Sequence, residues 1–336
     1  MMGGILEKSG AAEKLAYSLI KAIGSRKEEW ALGVTGWIIS IPVFADSAVV
    51  IFAPLCKALS RVTGKSLIGL ALALACGLQL THCMVPPTPG PLTAAGRLNV
   101  DVGQMILMGA ALSIPMLIVG IFYSKWIGTK IYQIPAENGE YIRKEYKKEY
   151  LKSMEELEKI MGEKKLPSLW NSIAPILVPL LLIFAKTVID LTSIDSGMFY
   201  EIITLLGAPI VALAIGTTLA VYGLALKSPK KEVLGIMDNA IRDTGLIMLI
   251  TGAGGALGNV IKVSGIGDVL GEVVLTWAIP AILIPAIIAA LMRIALGSAT
   301  VAITTAASLT APLVAALGIS PLLAAQAACI GAISLI

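Results

Sequence analysis

Long apolar runs separated by short polar stretches occupy most of the chain. A membrane-spanning helix needs about 20 apolar residues. By that measure the pattern predicts the following segments, in chain order: Trp30–Leu55, Leu67–Val85, Met105–Tyr123, Ile173–Ile189, Ile202–Leu226, Leu246–Val263, Val273–Leu291, Thr300–Leu317 and an incomplete run over Pro321–Ile336. The pattern therefore predicts an all-α polytopic membrane protein.

Some of these runs contain sequences that interrupt a helix. Pro42 and Asp46 lie within Trp30–Leu55, TGAGGALGN lies within Leu246–Val263, and MRIALGSAT lies within 273–317. Irregular backbone at membrane depth is tolerated only where protein or a water-filled cavity surrounds it. The breaks therefore indicate a binding site.

Composition and charge exclude several classes of protein. Hydrophobic residues make up 57% of the chain, charged residues 14%, and the mean hydropathy is +0.86. Soluble proteins carry about 25% charged residues, so a soluble enzyme is excluded. The net charge of +4 needs no nucleic-acid partner. The four cysteines form no CxxC pair, which argues against a metal site or a disulfide framework.

The distribution of basic residues predicts the topology. Clusters lie at 21–27, 57–65 and 227–231, and a Lys/Glu-rich stretch fills 124–168. The positive-inside rule places all of them in the cytoplasm. Trp30–Leu55 must then enter and leave on the inner side, as a re-entrant hairpin. The stretch 273–317 has ends without basic residues, so it forms a second hairpin that opens outward.

The two halves of the chain resemble each other. The sequence SGAAEKL, which begins at Ser9, is similar to SGIGDVL, which begins at Ser264. Three further pairs of identical residues follow at a separation of about 255 residues: Pro54 and Pro312, Gly64 and Gly318, and Cys76 and Cys329. Because the hairpins open to opposite sides, the halves are predicted to form an inverted repeat.

The repeat defines the predicted domains. The first copy, residues 1–123, contains a re-entrant hairpin at about 30–55, a broken span at 67–85 and a span at 105–123. Residues 124–168 form a charged cytoplasmic loop. The second copy, residues 169–336, contains spans at 173–189 and 202–226, a broken span at 246–263, a hairpin at about 273–317 and an incomplete span at 321–336. The copies have unequal ends, so we expect a chain truncated at both ends.

The hairpin tips are the first candidates for substrate binding. In inverted-repeat transporters, half-helix N-termini point N–H groups and partial positive charge at an anion near the midplane. Ser47 in the tip 41–48, and Ser298 and Thr300 in the tip 296–302, supply hydroxyl groups suited to a carboxylate or a polyol. The alternative is that these hydroxyls bond to their own helices.

Ionisable and amide side chains complete the candidate site. Asp46 is an intramembrane carboxylate, which is costly to insert and suits proton coupling or substrate binding. His82 is the single histidine, and THCMVPPTPGP around it must break a helix, so it is the second candidate for proton coupling. Arg293 suits a substrate carboxylate, and Asn259 is a weaker polar candidate.

Five segments together resemble the gluconate permease (GntP-type) family of the ion-transporter superfamily: GGILEKSGAAEKLA, IPVFADSAVVIFAPL, THCMVPPTPGP, TGAGGALGNVIKVSGIG and RIALGSATVAITTAA. The resemblance implies proton-coupled uptake of gluconate or a related hydroxy-acid across the inner (cell) membrane, without a cofactor. It also implies a scaffold and an elevator-type transport domain that carries the two hairpins, and a homodimer through the scaffold is an open expectation.

Two residues depart from the family pattern. Thr88 stands where the family commonly has His, and Leu296 stands where it commonly has Gln. Both changes concern the choice of substrate. A sodium-coupled di- or tricarboxylate carrier of the same superfamily is the alternative function. A membrane-embedded enzyme is disfavoured, because the chain lacks clustered acidic or histidine ligands.

Overall fold

The computed structural model describes residues 2–12, 14–15, 18, 27–41, 43–135, 141–143, 166–190, 197–226, 229–264 and 279–333. Its helices are α1 (Met2–Lys8), α2 (Glu28–Ile39), α3 (Ala45–Thr63), α4 (Leu67–Met84), α5 (Pro89–Arg97), α6 (Val102–Lys130), α7 (Leu169–Asp190), α8 (Met198–Leu206), α9 (Pro209–Ala220), α10 (Lys230–Val263), α11 (Leu283–Leu296), α12 (Ala299–Thr310), α13 (Val314–Leu317) and α14 (Pro321–Ile333). A π-helical turn, Val221–Ala225, follows α9, and a 3-10 turn, Ala311–Leu313, follows α12. Strands β1 (Gln133–Pro135) and β2 (Tyr141–Arg143) form an antiparallel pair.

Several helices are long and apolar enough to cross a membrane. Within the described ranges these are Leu67–Arg97, Val102–Lys130, Leu169–Ile189 and Ala299–Leu317. The pair Met198–Leu206 and Pro209–Ala225, bent by 65°, adds a fifth if it forms one span. The unbroken span predicted at 202–226 is therefore wrong, because the helix stops at Leu206 and restarts at Pro209. These helices confirm an all-α membrane protein.

One predicted break does not occur. Helix α10 runs without interruption from Lys230 to Val263, through the glycine-rich sequence TGAGGALGN. Glycine costs only about 1 kcal/mol in a helix and keeps its N–H, so apolar surroundings can hold such a stretch helical. The other predicted breaks are present, at 40–41 and 43–44, after Met84 and at Gly297.

Some predictions fall outside the described residues. These are Pro42, the Lys/Glu-rich core of the cytoplasmic loop at 144–165, the start of the second hairpin at 273–278 and the last three residues of the chain. The prediction that the loop begins at residue 124 is wrong, because 124–130 form the last two turns of α6, and the described chain then continues into the β1–β2 pair.

Contacts between residues divide the chain into two compact units. The first comprises residues 1–81, 113–179 and 213–233, and the second comprises 82–112, 180–212 and 234–336. The predicted division into repeats at 1–123 and 169–336 concerns sequence similarity, which this clustering does not test.

In the first unit, α2 and α3 form a helix–break–helix hairpin whose two ends lie together. Lys65, just after α3, places its Nζ 2.8 Å from Glu28 Oε2 and 2.5 Å from Glu29 Oε2, in the first turn of α2. The chain therefore returns at the end of α3 to the point where α2 begins. We call this ion-paired cluster the ionic mouth.

Close backbone contact between α2 and α4 supports this hairpin. A β-carbon on Gly77 would lie 2.0 Å from the carbonyl oxygen of Gly33, and one on Gly36 would lie 2.5 Å from that of Leu74. Small residues allow such approach, which favours helix association in membranes. Trp37 Nε1 also donates a hydrogen bond to Ser113 Oγ at 2.8 Å.

In the second unit, α11 and α12 pack against each other across the break at Gly297. The ends of this hairpin also lie together, but through apolar contacts. Ile284 at its start packs with Leu313 and Leu317 at its end, supported by Ile279, Ala281, Ile288 and Ile319. We call this cluster the apolar mouth.

Three local features recur near the landmarks that the two halves of the sequence share. Helices α1 and α10 both end directly before an SG sequence. Gly64 and Gly318 both end a hairpin helix in the left-handed conformation, with φ of +70° and +62°. A helix begins three residues after each glycine, at Leu67 and at Pro321.

Replacing Lys65 by Met tests the ionic mouth. We expect the free energy of unfolding in detergent to fall by about 3 kcal/mol, because a buried carboxylate loses its ammonium partner. Burial alone would lower the pKa of Lys65, but Glu29 and Glu28 outweigh it and raise the pKa above 10.5. The contribution is therefore complete below pH 10.5 and is lost as the pH rises through the raised pKa. Lys130→Met, at an exposed helix end, serves as the control, and an equal loss in both variants would contradict the assignment.

Gly77→Ala tests the contact between α2 and α4. The added methyl group would overlap the Gly33 carbonyl, so we expect a loss of about 3 kcal/mol in unfolding free energy. At Gly96 in α5, no heavy atom lies within 4 Å of an added β-carbon, and Gly96→Ala should stabilise by up to about 1 kcal/mol. Chemical denaturation measures both variants, and changes of opposite sign in the free energy of unfolding support the contact.

Candidate functional site

Three prolines produce the helix break after α4, and one hydroxyl group lies within hydrogen-bonding distance of the carbonyls that the break exposes. Pro86, Pro87 and Pro89 have no N–H, so the carbonyls four residues earlier lose their helical donors. Thr88 Oγ1 lies 2.8 Å from the carbonyl oxygen of His82 and 2.9 Å from that of Val85. These are two of the three carbonyls that the prolines leave without donors. Thr88 therefore closes the break, which gives a structural role to a residue that departs from the family pattern.

Two helices begin beside this break and touch at their first turns. Helix α5 starts at Pro89 and α12 starts at Ala299. A β-carbon on Gly90 would lie 2.9 Å from Ile303 Cδ1 and 3.5 Å from Thr300 Cα. Glycine at position 90 is therefore what allows the first turn of α5 to contact the first turns of α12.

His82 lies at this contact. Its Nε2 is 3.5 Å from Thr300 Oγ1, across 218 residues of sequence, and the two residues are only 7% and 9% exposed. The structure therefore brings together one predicted proton-coupling residue and one predicted substrate-binding residue. The 3.5 Å separation is at the long limit for a hydrogen bond, so a small displacement can make or break it.

The N–H groups at the two helix starts suit an anion. The first N–H groups of a helix have no partner within the helix and carry partial positive charge. Since Pro89 and Pro91 lack N–H groups, Gly90 supplies the donor in the first turn of α5. In α12, Ser298 Oγ accepts from Val301 N at 3.4 Å, so Ser298 acts as a helix cap. Helix geometry leaves the N–H groups of Ala299 and Thr300 for a ligand.

Arg293 forms a hydrogen bond at the C-terminal end of its own helix. Its guanidinium donates a hydrogen bond to the carbonyl oxygen of Gly297, which ends α11 with φ of +71°. A basic side chain at a helix C-terminus satisfies a free carbonyl and interacts favourably with the helix dipole. Arg293 thus stabilises the break that positions Ser298 and Thr300.

The other predicted site residues are only partly described. Asp46 and Ser47 lie in the first turn of α3, directly after the break of the first hairpin, and Asn259 lies in α10. Their side chains lie outside the described residues. Their roles stay predictions.

The second unit also contains buried polar groups that the sequence analysis did not select. Thr304, one turn after Thr300, and Gln326 in α14 are each 1% exposed. Thr304 Oγ1 and Gln326 Oε1 have no hydrogen-bond partner among the described residues. The sequence signal for Gln326 was a lone amide within the apolar run PLLAAQAACIGAI.

Known proteins resemble this chain over much of its length. The model of the GntP family permease matches residues 1–336. A permease of Haemophilus influenzae is 44% identical over 340 residues, which cover 99% of this chain and 68% of the relative. A gluconate permease of Pseudomonas aeruginosa is 32% identical over 300 residues, which cover 88% of this chain and 63% of the relative. A low-affinity gluconate transporter of Escherichia coli is 31% identical over 265 residues, covering 78% and 55%.

The chain thus spans between about half and two thirds of the length of these relatives. Their names describe permeases and transporters, and none describes an enzyme. On the family match over residues 1–336 and these identities, the chain belongs to the GntP family of permeases.

Proposed function

We propose that the protein is a secondary transporter of the cell (inner) membrane that takes up gluconate or a related small hydroxy-carboxylate together with protons. The observation that carries the proposal is the buried contact between His82 and Thr300 where two helices begin. Relatives named for gluconate support the substrate class. The histidine in this contact supports a proton as the coupling ion, because an imidazole ring can accept and release a proton.

In this proposal the helix starts bind the carboxylate. The N–H groups of Gly90, Ala299 and Thr300 and the hydroxyl of Thr300 donate to its oxygens, in the manner of other helix N-terminal anion sites. His82, next to the Thr300 hydroxyl, exchanges the coupled proton, with Asp46 as the second candidate. Arg293 stabilises the helix break by its hydrogen bond to the Gly297 carbonyl, and it acts on the substrate only indirectly.

The two hairpins provide the means of movement. We infer that α2–α3 and α11–α13 are re-entrant hairpins of an inverted repeat, with a scaffold and an elevator-type transport domain. The ends of each hairpin lie together, as expected for a chain that enters and leaves the membrane on one side. Basic residues lie near the ionic mouth in the sequence and are absent near the apolar mouth. By the positive-inside rule, this favours one hairpin that opens to the cytoplasm and one that opens outward.

The sodium-coupled di- or tricarboxylate carrier has less support. None of the relatives described above is named for such a substrate. The two functions differ in the ion that drives uptake. Accumulation of gluconate in proteoliposomes under a pH gradient without sodium supports the proposal, and accumulation that requires a sodium gradient overturns it.

Replacing Thr300 by Val removes the hydroxyl while keeping the side-chain volume. We expect the Kd for gluconate to rise about 10-fold through loss of a buried hydrogen bond. Thr305→Val, on the same helix but half-buried, is the matched control and should leave the Kd unchanged. Calorimetric titration of the full-length protein measures both, and equal Kd values in the two variants would count against the site.

Asp46→Asn and His82→Gln distinguish the proton-coupling residues. Loss of the titrating group should abolish accumulation driven by a pH gradient, while counterflow exchange of gluconate at equal pH continues. Radiolabelled uptake into proteoliposomes measures the two modes separately. A variant that still accumulates gluconate at the wild-type level has no coupling role.

A further inference from the structure

Gln326 is a buried amide held by backbone carbonyls from two other helices. Its Nε2 lies 3.3 Å from the carbonyl oxygen of Met84 and 3.0 Å from that of Met105, and 3.3 Å from Met105 Sδ. The residue is 1% exposed. Gln326 thus links α14 to the end of α4 and to the first turn of α6.

These contacts fix the orientation of the amide. A reversed amide would face two carbonyl oxygens with its own oxygen, which is repulsive, so the donor end must face Met84 and Met105. Oε1 therefore points away from both carbonyls. It is buried and has no hydrogen-bond partner among the described residues. A buried acceptor without a donor costs roughly 1–3 kcal/mol, so its retention requires an explanation.

Gln326 lies on a helix that packs against both helices of the candidate site. Met84 follows His82 by two residues, and α14 packs against α5 and α12, the helices whose first turns meet at Thr300. The approach is close, because a β-carbon on Gly109 would lie 2.2 Å from the Met84 carbonyl oxygen and 3.1 Å from Gln326 Nε2. On α12, the buried Thr304 hydroxyl also lacks a partner among the described residues.

We propose that Gln326 Oε1 accepts a hydrogen bond from a hydroxyl group of the bound substrate, and that Gln326 thereby determines specificity. The assignment rests on the proposed function, since it requires an acid bound at the helix starts. The two regions then divide the chemistry. N–H donors bind the carboxylate, and an acceptor-only oxygen binds a group that can donate.

This division requires an acid with one carboxylate at the helix starts and at least one hydroxyl group placed at Oε1. An ionised second carboxylate has no proton to donate, so Oε1 would face it with like partial charge. An unsubstituted carbon chain would leave Oε1 unpaired, and sites built to bind a hydroxyl discriminate strongly against analogues that lack it. Di- and tricarboxylates without a suitably placed hydroxyl and simple fatty acids should therefore bind poorly.

Binding of gluconate, the monodeoxy-gluconates and hexanoate to the full-length protein tests the assignment by calorimetry. For the wild type, we expect one deoxy analogue to bind roughly 10-fold more weakly than gluconate. In Gln326→Met, gluconate and that analogue should bind with nearly equal Kd values, because any loss caused by the two carbonyls without a donor is common to both ligands. Gln104→Met, at an exposed position in α6, is the matched control and should keep the wild-type ratio.

The ratio of the Kd of the deoxy analogue to the Kd of gluconate distinguishes a role of Gln326 in specificity from a purely structural role. If the amide serves only to hold the break, Gln326→Met weakens gluconate and every analogue by one factor, and the assignment is overturned. An unchanged gluconate affinity also overturns it. A wild-type protein that binds no acid of the panel overturns the proposed function instead. Should Met at this position prevent folding, Gln326→Asn, with an amide shorter by one methylene, gives the same comparison.

Discussion

The structure depends on satisfying backbone carbonyls where its apolar helices are interrupted. Lipid supplies no hydrogen-bond donors, so each free carbonyl must find one within the protein. At the break in the first hairpin, Ser40 Oγ donates to the carbonyl of Val43 at 3.1 Å. After α4, Thr88 and Gln326 donate to the carbonyls that the prolines and the helix end leave exposed. At the second hairpin, Arg293 donates to Gly297. One kind of constraint thus explains side chains that otherwise look unrelated.

The same constraint leaves N–H donors without helical partners where α5 and α12 begin. Protein donors satisfy carbonyls at the ends of helices, whereas N–H groups at the starts of α5 and α12 have no partner within their helices. The region where these helices touch at Gly90 and Thr300 therefore has an excess of donors and partial positive charge. An anion can be bound there without a dedicated cationic side chain. This arrangement is consistent with Arg293 satisfying a backbone carbonyl.

Local chemistry made the helices and most of the breaks predictable from sequence, because proline and apolar run length act over a few residues. The glycine-rich stretch in α10 was wrongly predicted to break, since glycine permits irregular backbone without requiring it. The contact between His82 and Thr300 joins residues 218 positions apart, and no sequence pattern specifies such a distance. Gln326 was missed for the same reason, because its significance lies in Met84 and Met105, which only folding brings near.

The ends of the two hairpins are held together by different forces, so the two hairpins differ chemically. Lys65 and its two glutamates attract one another electrostatically, so added salt and the charge of nearby lipid headgroups act on the ionic mouth. The apolar mouth around Ile284 and Leu317 contains no charges, and it responds instead to temperature and to the surrounding hydrocarbon. Each hairpin can therefore be loosened by a physical variable to which the other is nearly indifferent.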